Sequence, residues 1–209
     1  MSDQTNMTQK SAVFEKTYQD YLSQLEKLDL SERASRLGIK MLGDELLIPF
    51  FGSVYRVSSG GVISPKEQQA GFAESVVFFK YILMCPKDLP GDSEWTTYHS
   101  FKDAQPLLGY FARETTNPIE KCFTGKLMAL EHAGSKLGGS TVTDNASYDL
   151  SILFMALPKI PLFLRFNDKD DEFPAQSTIL FKSSVSQYLD MESLGILGAL
   201  FAKNLIANA

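Results

Sequence analysis

The segment that most constrains this chain is AGFAESVVFFKYILM, residues 70–84. Its apolar side chains would cover a helix almost all the way round, yet it is shorter than the roughly 18 residues of a membrane-spanning helix. Its length favours a helix over a strand, and a helix that is apolar on every side has to be buried. The sequence therefore predicts a helix in the centre of a globular domain, ended by Cys85-Pro86.

Strand-like and helix-like segments are grouped along the rest of the chain. Apolar residues at three- and four-residue spacing predict an N-terminal helix over 11–28, and β-rich runs with Gly-containing breaks predict an antiparallel meander over 39–63. Three later runs predict strands, and a terminal helix follows. Without a regular strand–helix alternation, we expect an α+β fold, with mostly antiparallel sheet packed by the central apolar helix and by N- and C-terminal helices. The runs are YDLSILFMAL, PLFLRF and STILF, and the terminal helix covers about 191–206.

The length and core content of the chain predict one folded unit. It has 209 residues, of which 44% are hydrophobic, enough for a single domain with a substantial core. Residues 1–10 are polar and predict a disordered tail, which leaves 11–209 as the α+β domain. Asn117-Pro118 has the residue types of a helix N-cap and first position, which predicts a helix that begins there and ends near Ala133 or Leu137.

Charge and segment composition limit the classes of partner. The formal net charge is −5, whereas a general nucleic-acid binder needs a basic face, so no nucleic-acid partner is expected. The N-terminal residues lack the apolar region of a signal peptide, and no apolar run reaches membrane-spanning length. We therefore expect a soluble, cytoplasmic protein without a membrane partner.

Two cysteines, Cys85 and Cys122, lie far apart in apolar segments. This placement is typical of buried free thiols, and a disulfide or a reactive pair is the alternative. Iron–sulfur clusters usually take four thiolates, so no such cluster is expected from this chain alone.

The stretch RFNDKDDEFPAQSTILF, residues 165–181, places four acids between two apolar runs. The simplest interpretation is a solvated hairpin tip, whose carboxylates accept backbone N–H bonds. One alternative is a divalent cation held by Asp168, Asp170 and Asp171, although the spacing differs from the EF-hand pattern. The other is that the carboxylates serve acid–base catalysis or the docking of a partner. Phe173 is expected to be buried as an anchor, and Glu172 to be held against the protein body by apolar neighbours.

Candidate ligand-binding residues lie in the aromatic segment WTTYHSF. An aromatic stretch with one histidine is able to line a pocket, so Trp95, Tyr98 and His99 are predicted to bind a ligand, together with Asp144 and Glu172. No catalytic motif identifies a catalytic residue. Gly138-Gly139 follows a predicted helix rather than preceding one, which favours a C-cap and turn over a phosphate-binding loop.

Several segments, taken in order, resemble the domain of unknown function 3786 family. The most specific is the ending, which resembles that family's DEFPA, ILF and YL pattern, and the resemblance covers about 12–205. Members commonly have an Asp directly after ILF, where this chain has Lys182. The matching segments are FGSVYRV, YILMCPKDLPGDSEWTTYHSF, LGG with the downstream Asp144, and LPKIPLFLRFNDKDDEFPAQSTILFKSSVSQYL.

The resemblance implies a setting rather than a reaction. Members of the family occur in anaerobic bacteria and archaea, alone or behind an iron–sulfur domain like that of corrinoid proteins, which implies a role accessory to corrinoid or one-carbon metabolism. The leading hypothesis is a non-catalytic module that binds a small molecule or a protein partner. The alternative is an enzyme that uses the acidic-loop carboxylates, with or without a divalent cation. A third is an oligomerisation module, such as a homodimer, built on a sheet edge or an apolar helix face.

Overall fold

The computed structural model describes residues 2–143 and 148–209, with side chains described from residue 13 onward. Two antiparallel sheets and the helices around them confirm the expected α+β class. The helices are α1 (Ser2–Leu25), α2 (Leu30–Leu37), α3 (Phe72–Leu83), α4 (Leu108–Phe111), α5 (Asn117–Phe123), α6 (Leu127–Lys136) and α7 (Met191–Ala207). The strands are β1 (Lys40–Leu42), β2 (Glu45–Phe50), β3 (Ser53–Ser58), β4 (Gly61–Ile63), β5 (Trp95–Thr97), β6 (Ser140–Thr141), β7 (Leu150–Leu157), β8 (Ile160–Asn167) and β9 (Gln176–Lys182).

The apolar helix α3 lies at the centre, as the sequence predicted. The Phe78 ring of α3 contacts the Phe50 ring of the small sheet at a centroid distance of 5.1 Å, and the Phe79 ring contacts Tyr18 of α1 at 5.3 Å. On a further side α3 packs against α7. Because the helix is covered by two helices and a sheet, its apolar residues need no solvent-facing side.

The first helix includes residues for which a disordered tail was expected. It begins at Ser2 and ends at Leu25. The stretch contains neither glycine nor proline, so no helix-breaking residue separates the polar start from the amphipathic part. The part that holds the helix to the protein is its C-terminal half, where Phe14 stacks on Phe72 and Tyr18 contacts Phe79 edge to face.

The small sheet has the order β1-β2-β3-β4 and is the predicted meander. Its central hairpin turns at Phe51 and Gly52, both with positive φ, 44° and 76°, as a two-residue turn of this hand requires. Phe51 keeps this uncommon conformation because its ring is buried against Phe50 and Phe201. The Phe51 N–H donates to the Ala156 carbonyl at 3.4 Å, at the bulge of β7.

The double glycine of the chain packs two elements together. Leu137 is the C-cap residue that follows α6, and Gly138 comes next with φ 75°, as the C-cap and turn interpretation predicted. A Cβ on Gly138 would lie 3.5 Å from Gly52 of the hairpin, and a Cβ on Gly139 would lie 2.5 Å from the Phe154 ring. Gly138 therefore lets the hairpin at Gly52 approach the end of α6, and Gly139 lets that end approach β7.

The large sheet has the order β5-β9-β8-β7-β6 and contains the three predicted strands. One face is covered: Phe154 contacts Phe201 of α7 at 4.9 Å, and Phe181 contacts Phe111 at 6.3 Å. A short 3-10 helix, Ser183–Gln187, and α7 close the chain, where the sequence predicted a short helix and a terminal one.

The predicted helix start at Asn117 is wrong. One helix runs from Leu108 to Phe123, with a π turn at Ala112–Thr116 between α4 and α5, and Asn117 lies inside it at φ −58° and ψ −42°. Pro118 lacks an N–H, and the widened turn directly precedes it. Buried residues recur every four positions at Phe111, Thr115, Ile119 and Phe123, so packing against the core outweighs the local capping pattern. The helix ends at Phe123, before the turn at Thr124 and Gly125, and α6 is a separate helix.

Candidate functional site

The predicted ligand-binding residues do not line one hollow. Trp95 lies on the face of the large sheet opposite to Phe181, with the Lys182 Nζ 4.9 Å from its ring and the Phe163 ring at 5.5 Å. Tyr98 follows in a 3-10 turn, Tyr98–Ser100, but points into the protein. Its hydroxyl donates to the Met191 carbonyl at 2.6 Å. Asp144 lies outside the described residues.

Tyr98 and His99 share a pocket at the edge of β9, which we call the edge pocket. The Tyr98 ring stacks on Phe111 at 4.2 Å with an interplanar angle of 4°. His99 is exposed, with its Nε2 3.5 Å from the Gln105 side-chain nitrogen. The pocket has a volume of about 180 Å³ and is lined by residues 97–99, Leu108, Phe111, Ala112, Thr116 and residues 177–179.

The acidic loop has the geometry of a hydrogen-bonded hairpin tip. Asp168 Oδ1 accepts from the Gly125 N–H and from the Lys169 N–H, both at 2.7 Å. Asp170 Oδ1 accepts from the Glu172 N–H at 2.8 Å and the Phe173 N–H at 2.7 Å. These two bonds lower the pKa of Asp170 because they stabilise the charged carboxylate. The bond from the Phe173 N–H has the larger effect. Both acids therefore act as acceptors for backbone donors.

The expectations for Phe173 and Glu172 are wrong. The Phe173 side chain is 60% exposed, and Glu172 is exposed as well. The turn closed by Asp170 includes a bond from the Asp170 N–H to the Phe173 carbonyl at 3.0 Å, so the backbone of Phe173 is fixed at the tip, away from the core. Ala175, 6% exposed, is the first residue of this segment that enters the core.

The acidic loop lines an open, polar hollow of about 660 Å³, together with Asp149, Asn167 and Gln176. The Asp168 N–H donates to Asp149 Oδ2 at 2.8 Å, which adds a third carboxylate to the same network. Within residues 13–143 and 148–209, no three potential ligands are grouped closely enough to hold a metal ion. The cation site at Asp168, Asp170 and Asp171 stays a prediction, and calorimetric titration with Ca²⁺, Mg²⁺ and Mn²⁺ tests it.

A third hollow lies between α3, the 108–123 helix and α7, and we call it the helix groove. Its volume is about 380 Å³. Small side chains leave the space open: Ala73 at the start of α3, and Ala199 and Ala202 on α7. The remaining lining residues are Tyr110, Glu114, Pro118, Ile196, Leu200, Lys203 and Ile206. The groove is therefore apolar in its body and polar at Tyr110, Glu114 and Lys203.

The polar groups of the helix groove differ in how they are paired. Glu114 Oε1 lies 2.7 Å from Nε of Arg113, and both side chains are partly exposed. Lys203 is exposed and makes no ion pair or hydrogen bond with the residues that the structure describes. Burial, and to a lesser extent Glu114, raise the pKa of Tyr110, so that its phenol stays protonated near neutral pH. The groove thus offers an uncompensated cation and a hydroxyl.

The sequence carried a partial signal for this groove. Gly195, Gly198, Ala199 and Ala202 recur at three- and four-residue spacing on α7. A Cβ on Gly198 would lie 2.6 Å from the Phe111 ring, so the glycines allow the 108–123 helix to approach α7. Whether such spacing leaves a hollow beside the contact depends on the partner helix, and the sequence predicted the start of that helix incorrectly.

Two carboxylates outside these hollows, Asp190 and Asp92, have structural partners. Asp190 caps α7 by accepting from the Ser193 N–H at 2.8 Å, and its second oxygen lies 2.8 Å from Lys80 Nζ. Lys182 Nζ lies 2.9 Å from Asp92 Oδ1, and the hydrogen bond from Lys182 is the main cause of the lowered pKa of Asp92. Cys85 and Cys122 are free thiols, Cys85 buried and Cys122 half-buried.

These features describe an α+β protein in which one core is surrounded by separate surface hollows. A family model described as Domain of unknown function (DUF3786) matches residues 29–204. The chain belongs to this family, as the resemblance of its sequence indicated. Neither a search of curated proteins nor a search of solved structures found a match. No helix in the described part of the chain has the length and apolar character to cross a membrane.

Proposed function

We propose that this protein is a non-catalytic binding module, and that its helix groove binds a small amphipathic acid with an apolar body and an anionic head. One observation carries the proposal: the lining of an apolar hollow of about 380 Å³ includes Lys203, which has no ion-pair partner among the described residues. Hollows of this size between helices, apolar with a few polar groups, are typical ligand sites.

The apolar body of the ligand is recognised by the alanines and aliphatic side chains of the groove. Burial of apolar surface supplies about 0.8 kcal/mol for each methylene removed from water. Ala73, Ala199 and Ala202 lie on two helices, so a chain placed between them contacts both walls. The two apolar walls therefore suit an acyl or alkyl group.

The anionic head is recognised by charge complementarity. Glu114 is paired with Arg113 at 2.7 Å, so the charge on the lining that has no partner is the cation Lys203. The protonated Tyr110 phenol is a second donor for the same head group. A cationic ligand would meet Lys203 without compensation, and a neutral one would leave it unpaired.

The roles of the perturbed carboxylates support binding rather than acid–base chemistry. The pKa values of Asp92, Asp170 and Asp190 are lowered, and each of these acids accepts hydrogen bonds within the fold. An acid–base catalyst at neutral pH needs a pKa near the operating pH, so lowered values suit structural carboxylates. The setting in corrinoid or one-carbon metabolism is part of the proposal, and the family resemblance alone supports it.

Binding of three eight-carbon probes tests the function. Octanoate, octan-1-ol and octylammonium share one apolar body and differ in head-group charge, and calorimetry gives their affinities. We expect the order octanoate, octanol, octylammonium. Lys203→Met keeps most of the side-chain stem and should weaken octanoate by about 3- to 10-fold, the equivalent of one net hydrogen bond or ion pair, while octanol is unaffected.

Two variants control the assignment to this groove. Ala199→Leu fills the hollow and should weaken all three probes. Lys27→Met removes an exposed lysine that is not part of the groove lining and should change none of them. Equal affinity for octanoate and octylammonium, or no binding of any probe, contradicts the proposal.

A further inference from the structure

A fourth hollow lies between helix α6 and the strands β6 and β7, which contribute Thr141 and Ile152, and we call it the α6 hollow. Its volume is about 400 Å³. Leu130 and Ala133 are buried on the core side of α6, and the residues that line the hollow lie on the other face, three and four positions apart. These residues are Met128, Glu131, His132 and Ser135.

Met128 and His132 place two metal-binding side chains one helical turn apart in this lining. Met128 is 79% exposed, the highest value among the large hydrophobic side chains of the described residues, so its thioether sulfur is accessible. His132 is exposed as well, and its imidazole has no hydrogen-bond or ion-pair partner in the described part of the chain. Spacing of four residues is the one at which two histidines of a helix hold a single metal ion.

The charge and the donor types of the α6 hollow select the class of cation. Glu131 lines it with a carboxylate, fixed because its Oε1 accepts from the Thr141 hydroxyl at 3.2 Å, and the described lining includes no lysine or arginine. Zn²⁺ takes three or four protein ligands, and Ca²⁺ takes a shell of oxygens. A thioether instead favours Cu⁺, and a soft monovalent cation of this kind is satisfied by two donors in line.

We propose that Met128 and His132 together bind a soft monovalent cation of the Cu⁺ class, through the thioether sulfur and one imidazole nitrogen. Glu131 supplies the compensating negative charge beside them. The methionine side chain is flexible and exposed, so its sulfur turns towards the imidazole without loss of packing. This site is separate from the helix groove and does not depend on the function proposed for it.

The test uses Ag⁺, an air-stable cation of the same class, added as silver nitrate in chloride-free buffer. With methyl-labelled methionine and ¹⁵N-labelled histidine, NMR follows the Met128 methyl group and the His132 ring nitrogens in one titration of the unmodified protein. We expect both signals to shift with a shared midpoint. The thiols of Cys85 and Cys122 also bind Ag⁺, so the titration continues beyond two equivalents. Binding confined to the thiols, or a shift of Met128 without His132, overturns the inference.

Matched variants separate a shared site from two independent ligands. Met128→Leu should weaken Ag⁺ binding at His132, and His132→Gln should weaken it at Met128, each by about 10-fold or more, because the second ligand no longer acts at a high effective concentration. Met155→Leu and His99→Gln make the same changes at exposed residues outside the hollow and should alter neither signal. If each single variant leaves the affinity at the other residue unchanged, or if Zn²⁺ binds more tightly than Ag⁺, the inference is overturned.

Discussion

Replacement of Gly198 by alanine tests the close contact between α7 and the 108–123 helix. A Cβ at this position would lie 2.6 Å from Phe111 Cε2 and 2.9 Å from Thr115 Oγ1. Both neighbours are buried, at 7% and 0% exposure. Their side chains therefore have little space to move away, and the two helices would have to separate or the rings change rotamer.

The expected cost follows from two opposing effects. Overpacking of a filled core costs about 1–3 kcal/mol, and alanine gains about 1 kcal/mol over glycine in a helix interior. Both contacts are shorter than 3.0 Å and both neighbours are buried, so the upper part of the overpacking range, about 2–3 kcal/mol, applies. After the helix gain of about 1 kcal/mol, we expect a net loss of about 1–2 kcal/mol in the free energy of unfolding. For a chain of this size, that corresponds to roughly 2–8 °C in Tm.

Gly109→Ala is the matched control, because it makes the same chemical change in a helix. No atom lies within 4 Å of a Cβ at Gly109, so only the helix-propensity gain of about 0.5–1 kcal/mol applies. Urea denaturation followed by circular dichroism gives both values with a shared reference. If Gly198→Ala is as stable as the unmodified protein, or if both variants move together, the close helix contact is refuted.

Three further predictions concern single side chains. Thr115 carries a fully buried hydroxyl that has no hydrogen-bond partner in the described part of the chain. Thr115→Val should therefore raise the unfolding free energy by about 1 kcal/mol, whereas Thr115→Ser should not, and a loss in the valine variant contradicts this. The folded pKa of Asp170 lies below its ordinary 3.8, so the stability that its carboxylate contributes is present above that value and is lost as pH falls through the folded pKa. Asp170→Ala should therefore be less stable than the unmodified protein at pH 7. If this difference in stability does not shrink in acid, the capping role of Asp170 is refuted. Phe173→Ser should leave Tm nearly unchanged because the ring is 60% exposed, whereas Ala175→Asp should lower Tm by several degrees because it buries a charge. If thermal scans show a larger loss of Tm for Phe173→Ser than for Ala175→Asp, Phe173 is the anchor after all.

The sequence predicted elements whose signal is contained in their own residues. The central helix is apolar on every side, and the strands of 150–182 alternate or run continuously apolar between turns, so both were placed correctly. The helix start at Asn117 failed because a local capping pattern competed with burial of Phe111, Thr115 and Ile119, which depends on the fold of α7.

The candidate sites were less predictable, because they depend on which elements meet. Phe173 is aromatic and follows acids in a hairpin, which gives no indication of the direction of its ring. Tyr98 and His99 both line the edge pocket, but their role in ligand binding stays a prediction, and the shape of that pocket depends on where β5 ends. The helix groove needs three elements that are distant in sequence.

The contact of Phe51 with the bulge at Ala156 also has a consequence for how the protein opens. The small sheet is made of successive hairpins, whose pairing is local, whereas the bond from the Phe51 N–H to the Ala156 carbonyl joins it to the large sheet. Amide exchange reports cooperative units that open separately. If the two sheets open as separate units, the Phe51 amide exchanges before its neighbours within the hairpin. If they open together, it exchanges with them, and the buried tip at Phe51 makes the chain a single cooperative unit.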